Sequence, residues 1–314
     1  MAELLSAQAA SNGYRNCIGL AEGGRKALKN IFRITTNLRR VLLGSNTLSQ
    51  RSVAYEPDLI PPLELMRQEG IDVLEEWFRW AEEWSMLLRV YGGITKNSKL
   101  LEIGCGLGRI AFPLRYILSP SGSYEGFDIC QNKIAFLEKT FHKAYPNFRF
   151  IWADINNTLY NPKGQIRAAD YRFPYPNNSF DIVYAASVFT HMLPEAAANY
   201  FQETARVLKQ DGLCLFSFFL LDNYRPEQPR PLGFARPDFN FDHPYGNYGE
   251  DFAIARLENP EEMTAYGLPL IERFAKQAGL ELAQAPVPGL WSGSTSTWVG
   301  AQDLVILKVC SSKP

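Results

Sequence analysis

The sequence lacks both an excess of one charge and a cysteine framework. Its 314 residues include 32 Lys and Arg against 33 Asp and Glu, so the formal net charge is -1. This balance gives no general argument for binding to nucleic acid or to an anionic membrane surface. The 5 cysteines are scattered, with no C-x-x-C pair and no histidine spacing suited to zinc, which predicts reduced thiols in a cytosolic protein.

Long apolar runs are also missing. No run reaches the roughly 18 residues that a transmembrane helix needs, and the N-terminus lacks the charged start and long apolar centre of a signal peptide. These absences predict a cytoplasmic protein. The composition is globular, with 46% hydrophobic and 21% charged residues. A chain of this length can bury a large core.

Residues 1–55 differ from the rest of the chain. Basic residues between Arg15 and Arg40 far outnumber the acidic ones, and apolar residues from Leu28 to Leu42 recur near helical spacing. The pattern predicts a basic helical extension. Two uses stay open: the helix packs its apolar side on the main domain, or residues 15–40 dock on RNA or a membrane surface.

From residue 56 to the end, short apolar runs alternate with helical stretches, which predicts a second domain over 56–314. The predicted strands are 98–104, 123–129, 148–154, 180–187, 213–221, 280–291 and 301–310. The predicted helices are 61–91, 108–118, 131–145, 194–209 and 265–279. Strands that are apolar on both faces and alternate with helices indicate an α/β fold. We expect a doubly wound, seven-stranded, mostly parallel Rossmann-like sheet with helices on both faces.

One segment does not follow this alternation of strands and helices. Residues 222–260, after the fifth strand, are rich in Pro, Gly, Asn and aromatic side chains and show little periodicity. A stretch of this kind inside a compact domain is often a lid or a binding loop. We therefore predict a lid insertion there.

The stretch LLEIGCGLGRI, residues 100–110, places three glycines directly after the first strand. In an open parallel sheet the ligand lies beyond the carboxyl ends of the strands, where the backbone must approach it closely. Dinucleotide sites use G-x-G-x-x-G, but the third glycine here comes one residue earlier, at Gly108, and Arg109 follows it. This spacing argues against a nicotinamide cofactor.

The segment LLEIGCGLGRIAFPL resembles motif I of the class I S-adenosylmethionine-dependent methyltransferases. Asp128 and Asp154 end the next two strands where that family places acidic residues, and FPYPNNSFDIVYAASVFTHM and ARVLKQDGLCLFSFFL resemble the segments around its fourth and fifth strands. The resemblance covers residues 56–310. Pro113 departs from the usual sequence of the family and should perturb the first crossover helix.

The resemblance implies S-adenosylmethionine as cofactor and S-adenosylhomocysteine as product. It implies that Glu102 and the glycine backbone hold the methionine end, Asp128 the ribose, and Ile129 and Asp154 the adenine. The full set of cofactor-binding residues implied is Glu102, Gly104, Cys105, Gly106, Gly108, Asp128, Ile129, Asp154, Ile155 and Ser187.

The acceptor side is predicted to begin at Ser187. Relatives that methylate adenine carry Asn-Pro-Pro-Tyr after the fourth strand, whereas this chain has SVFTHM, which argues against a nucleic-acid base as acceptor. Metal-dependent relatives place an aspartate there, so Ser187 predicts no metal ion. His191 is the candidate general base, since a neutral imidazole can take a proton from a hydroxyl or amine. The alternative is a histidine that only shapes the loop.

The predicted lid offers candidate substrate contacts. Aromatic side chains could line an apolar pocket, and arginines could pair with a carboxylate. Alternatively, the loop folds its own aromatics onto the domain. Together with His191, the candidates are Arg225, Arg236, Phe239, Phe241, His243, Tyr245 and Trp291.

The expected function is a metal-independent O-methyltransferase. Its acceptor would be a hydroxyl or carboxylate of a hydrophobic small molecule or short-peptide natural product. Three alternatives stay open: N-methylation of a small molecule, binding of the cofactor without methyl transfer, and RNA modification with docking through residues 15–40.

Overall fold

The computed structural model describes residues 56–225, 227, 240–293 and 299–310. The predicted basic extension, and Arg236 and Phe239 of the predicted lid, lie outside the described residues. The division of the chain at residue 56 therefore stays a prediction.

The described residues form strands and helices that we number in chain order. The strands are β1 Lys99–Ile103, β2 Ser123–Asp128, β3 Phe148–Trp152, β4 Ile155–Asn156, β5 Ile166–Arg167, β6 Phe180–Ala185, β7 Leu208–Phe218, β8 His243–Pro244, β9 Phe252–Ile254, β10 Thr264–Tyr266, β11 Leu280–Leu282 and β12 Asp303–Val309. The α-helices are α1 Leu63–Met66, α2 Leu74–Val90, α3 Ala111–Leu114, α4 Gln131–Leu137, α5 Pro194–Val207 and α6 Leu268–Ala278.

The main sheet has seven strands in the order β11-β12-β7-β6-β1-β2-β3. All neighbouring pairs are parallel except those of β12, which runs antiparallel to both β7 and β11. The predicted mostly parallel, doubly wound sheet is confirmed. The chain winds outward from β1 to β3 on one side and from β6 to β7 on the other. The switch point, where ligands bind in such sheets, therefore lies at the carboxyl ends of β1 and β6.

Successive residues of the central strands pack into two separate hydrophobic cores. In β1, Leu101 packs in a core with α5 and α6, while Leu100 packs in a second core with α2 and α4. In β6, Val183 and Ile182 divide in the same way. Both faces are therefore covered by helices, which explains why apolar side chains on these strands point to both faces.

Three predicted helices had wrong boundaries. The helix expected over 61–91 is divided into α1 and α2, because Gly70 between them has a φ of +72° and ends the first helical segment. The first crossover helix was expected over 108–118, but α3 is only Ala111–Leu114. Gly108 has a φ of +72°, outside the right-handed helix, and Pro113 cannot donate to the helical ladder. Helix α5 stops at Val207 rather than residue 209, because β7 already begins at Leu208.

Two predicted elements near the C-terminus also differ. The helix expected over 265–279 begins at Leu268, because Thr264–Tyr266 pairs with β9 as strand β10. The extended run expected over 280–291 is a strand only at Leu280–Leu282, where it pairs with β12. The prolines that follow cannot donate to a ladder.

The described part of the predicted lid contributes strands to a small sheet. Strands β8, β9 and β10 form a small antiparallel sheet, and Phe252, Ile254 and Tyr266 of this sheet are buried in the core that contains α5 and α6. The Thr264 hydroxyl donates to the Phe189 carbonyl at 2.8 Å, and the Tyr266 hydroxyl donates to the Met192 carbonyl at 2.8 Å. The small sheet therefore fixes the turn between β6 and α5 on both sides of His191.

Candidate functional site

A cavity of about 510 Å³ opens at the carboxyl ends of β1, β2 and β6. Its wall includes Gly104, Asp128 and Ala186, each of which directly follows or ends one of these strands. The cavity therefore lies at the switch point of the sheet. Its size is within the range of small-molecule sites.

The glycine loop forms one wall of this cavity. Gly104 and Gly106 have φ values of +70° and +51°, which favour glycine. A Cβ at Gly104 would lie 2.5 Å from Val188 Cγ2, and a Cβ at Gly106 would lie 2.5 Å from Glu69 Oε1. Gly104, Cys105 and Gly106 line the cavity, so their exposed backbone fits the close approach of a ligand.

Gly108 has a different role from the other two glycines. It does not line the cavity, and a Cβ on it would lie 2.6 Å from Leu137 Cδ2. Its missing side chain lets α4 pack against the loop. The structure therefore supports a packing role for Gly108 rather than the predicted cofactor contact.

Asp128 anchors the glycine loop from the end of β2. Its Oδ2 accepts a hydrogen bond from Gly106 N at 2.8 Å, and its Oδ1 accepts one from Cys130 N at 2.8 Å. A carboxylate offers about four acceptor positions, so each oxygen keeps one for a ligand hydroxyl. Asp128 lines the cavity between Gly106 and Ile129. This geometry fits the two ribose hydroxyls that the resemblance implies.

Glu102 is a buried carboxyl at the floor of the cavity. Both neighbouring strands send it a donor: Tyr124 Oη lies 2.5 Å and Tyr184 Oη 2.9 Å from Glu102 Oε2. Burial raises the pKa of Glu102 to about 8, although the two tyrosine hydrogen bonds oppose the shift. The side chain is therefore largely protonated at neutral pH.

This shift predicts a pH dependence of stability. Between pH about 4.5 and 8 the folded chain keeps the Glu102 proton and the unfolded chain does not, so the free energy of unfolding should fall as pH rises. The slope from this group should approach about 1.4 kcal/mol per pH unit. Glu102→Gln, which mimics the protonated acid, should flatten the slope in denaturant titrations across this range. Glu258→Gln changes an exposed carboxyl and should leave the slope unchanged; an equal effect of both variants would contradict the assignment.

An ion pair that the sequence did not predict covers the glycine loop. Glu69 Oε1 lies 3.1 Å from Lys133 Nζ and accepts a hydrogen bond from Leu107 N at 3.1 Å. Burial disfavours the Lys133 ammonium, but the carboxylates of Glu69 and Asp128 outweigh it and hold the pKa of Lys133 above its usual value. No motif marks this pair, because its two members are 64 positions apart and become neighbours only through folding.

His191 ends a short turn, Phe189–His191, and lines the cavity. Its Nδ1 lies 3.3 Å from the Glu261 carbonyl oxygen, and its ring meets Tyr160 edge-on at 5.5 Å. Burial lowers the pKa of His191, while backbone hydrogen bonds at Glu261 and Glu262 oppose the shift. A carbonyl can only accept, so Nδ1 carries the proton, and in the neutral ring the lone pair is on Nε2.

The other predicted cofactor-binding residues divide into two groups. Cys105, Ile129, Ile155 and Ser187 line the cavity as expected. Asp154 does not; it is half-buried, and its Oδ1 lies 3.4 Å from Asn161 Nδ2. Asn156 and Asn157 line the wall just after it. The adenine contact of Asp154 stays a prediction that this geometry does not favour.

The aromatic side chains assigned to a substrate pocket lie elsewhere. Phe241 and Trp291 are buried against Phe219, at ring distances of 5.6 and 4.8 Å, and do not line the cavity. Trp291 Nε1 donates to Asp303 at 2.5 Å. Their assignment as substrate contacts stays a prediction that this geometry does not favour, because the described part of the loop folds these aromatics onto the domain.

The remaining described candidates also lie outside the cavity wall. Arg225 is exposed and donates to the carbonyls of Asp222 and Tyr224 at 3.0 and 2.7 Å. His243 pairs with Ile254 in the small sheet, and Tyr245 packs near Phe252. Much of the apolar wall comes instead from residues that were not among the predicted site residues. They are Val188, Met192, Ala196, Tyr200, Phe219 and Met263.

Two further observations bear on partners. Among the described residues, no three His, Cys, Asp or Glu side chains come together as a candidate metal site. None of the helices in the described part of the chain is both long and apolar enough to cross a membrane.

The chain is similar to known methyltransferases. Residues 101–216 match the family described as Methyltransferase domain. A methyltransferase of Schizosaccharomyces pombe, itself uncharacterized, is 28% identical over 155 residues, 48% of this chain and 51% of the relative. An uncharacterized protein of Haemophilus influenzae is 31% identical over 125 residues, 40% of this chain and 43% of the relative. The matches thus span about half the length of these relatives or less.

A solved structure supports the fold. The PH0226 protein of Pyrococcus horikoshii superposes with a TM-score of 0.50 at 19% identity, over 76% of this chain and 92% of its own. At that identity the likeness concerns the fold alone. The sheet order, the glycine loop with Asp128 beside it and the matched domain agree: residues 101–216 form a methyltransferase domain of the class I S-adenosylmethionine-dependent type.

Proposed function

We propose that the chain is a metal-independent O-methyltransferase that acts on a hydroxyl group of a small, partly apolar molecule, with His191 as general base. The observation that carries the proposal is the state of His191. Its Nδ1–H is held by the Glu261 carbonyl, its pKa is lowered by burial, and its ring lines the same cavity as the glycine loop.

The cofactor end of the cavity fits S-adenosylmethionine. The open backbone at Gly104 and Gly106 would hold the methionine part, and the free acceptor positions of Asp128 would take the ribose hydroxyls. Ile129 and Ile155 offer apolar surface for the adenine. The bound cofactor supplies a methyl group on a positively charged sulfur, which is already activated for transfer.

The protein's own tasks are positioning and proton transfer. As the acceptor oxygen forms its bond to the methyl carbon and the carbon–sulfur bond breaks, the hydroxyl proton passes to His191 Nε2. A base in this position typically contributes about 10²–10⁴-fold in rate. Val188, Met192 and Met263 give this end an apolar wall, which holds the acceptor and excludes water.

The test uses methyl-labelled S-adenosylmethionine with a matched panel of phenols, alcohols, carboxylic acids and amines. We expect label in a phenol or alcohol, in a product stable to mild base. A base-labile product would be a methyl ester and would identify the accepting group as a carboxylate. A carboxylate is already ionised at neutral pH, so its methylation needs no base. Label in an amine would replace O-methylation by N-methylation. Cofactor binding without any labelled product would contradict the proposal that the chain transfers a methyl group.

A further inference from the structure

A polar network lies at the carboxyl ends of β6 and β7, and two of its residues line the same cavity as His191. Ser187 follows β6 with a φ of +57°, and its backbone N–H donates to Ser217 Oγ at 2.8 Å. Ser217 lies within β7 and is only 3% exposed. One member of the network, Ser217, is therefore a buried residue of the main sheet.

Gln302, directly before β12, completes the network. Its Oε1 accepts hydrogen bonds from Ser217 Oγ at 2.6 Å and from Ser187 Oγ at 3.1 Å. Because Ser217 Oγ already accepts from the Ser187 backbone, its own proton is free to go to the glutamine oxygen. Two hydroxyl donors on one oxygen fix the orientation of the amide, with the nitrogen on the opposite side.

Among the residues that the structure describes, none accepts a hydrogen bond from the Gln302 amide nitrogen. Gln302 lines the cavity together with Ser187 and His191. An amide nitrogen carries two N–H donors and no acceptor. A ligand atom that satisfies it must be an acceptor, and oxygen is the usual one.

We propose that Gln302 is a specificity-determining residue that donates a hydrogen bond to a carbonyl or carboxylate oxygen of the methyl acceptor. This rests on the proposed function, since it assigns the cavity near His191 to the acceptor. Ser217, which does not line the cavity, acts as a positioning residue by holding the glutamine oxygen. The acceptor then carries an sp² oxygen within reach of the group that is methylated.

The test measures binding of benzamide to the full chain saturated with S-adenosylhomocysteine, by calorimetry. Gln302→Glu keeps the side-chain shape and an oxygen for the two serines but replaces the N–H donors by an oxygen; Gln302→Met removes both polar atoms without adding charge. Both variants should weaken benzamide binding by about ten-fold or more, because a polar contact is lost. Ser217→Ala should weaken it to a smaller extent. Gln202→Glu, the same change at an exposed position of α5, should have no effect.

The outcomes separate this inference from the proposed function. Failure of the wild-type chain to bind S-adenosylhomocysteine would overturn the proposed function. Retained S-adenosylhomocysteine binding with no benzamide binding, or with equally tight benzamide binding by Gln302→Met, would overturn only the role of Gln302. A parallel loss of S-adenosylhomocysteine affinity in Gln302→Met would instead make Gln302 a cofactor contact. Benzoate identifies the oxygen: tighter binding than benzamide assigns a carboxylate, and weaker binding a neutral carbonyl.

Discussion

Replacing His191 by glutamine is expected to slow methyl transfer to a hydroxyl acceptor by about 10²–10⁴-fold. A glutamine amide can still donate to the Glu261 carbonyl that holds Nδ1, but it cannot take a proton from the acceptor. The rate should be measured in single turnovers with labelled cofactor, so that product release does not mask the chemical step. S-adenosylhomocysteine affinity should stay at the wild-type level, because the variant leaves the glycine loop and Asp128 intact.

The pH profile gives an independent check of the same role. Burial lowers the pKa of His191 below 6.5, so the neutral base is present at pH 7 and is lost only as the pH falls through the lowered pKa. In the wild-type chain, kcat/KM should therefore decline on the acid side, and this limb should be absent in His191→Gln. An unchanged rate and an unchanged acid limb in the variant would remove His191 as the base and leave it a residue that shapes the loop.

Asp128→Ala is expected to weaken S-adenosylmethionine binding by about 100-fold or more. The change removes a charged acceptor for two ribose hydroxyls, and hydrogen bonds to charged groups contribute roughly 1.5–3 kcal/mol each. It also leaves the N–H groups of Gly106 and Cys130 without their acceptor, so the loop itself should loosen. Binding is measured by calorimetry, and the folded fraction at the working temperature by circular dichroism.

Asp211→Ala provides the matched control for this prediction. Asp211 is an exposed aspartate in β7, outside the cavity wall, and its loss should leave cofactor binding unchanged. If Asp128→Ala folds and binds the cofactor as tightly as Asp211→Ala does, then Asp128 does not hold the ribose and serves only to brace the glycine loop.

The strands and the glycine loop could be predicted from the sequence because their causes are local. A strand buried on both faces needs apolar side chains on each face, as Leu100 and Leu101 show, and close backbone approach leaves glycine at Gly104 and Gly106. The limits of the helices were harder to predict. The end of α5 at Val207 depends on where β7 pairs, since Leu208 pairs with Phe180 and the next paired residue is Leu213, opposite Ile182.

The acceptor end could not be predicted because its contacts join distant parts of the chain. Ser217 and Gln302 are 85 positions apart, and no motif links the two. The locations of two aromatic side chains could not be predicted from composition either. Phe241 and Trp291 have the side chains of a binding pocket, but their environment is set by Phe219 and by the buried Asp303, which no local pattern reveals.

Part of the acceptor end comes from a different stretch of the chain than the cofactor end, and this has an evolutionary consequence. The glycine loop and Asp128 lie inside the stretch shared with the methyltransferase domain family, whereas Glu261, Met263 and Gln302 lie outside it. Mutations in the outer segments can remodel the acceptor wall while the inherited cofactor machinery stays intact. A lineage built this way can acquire a new substrate without passing through an inactive ancestor.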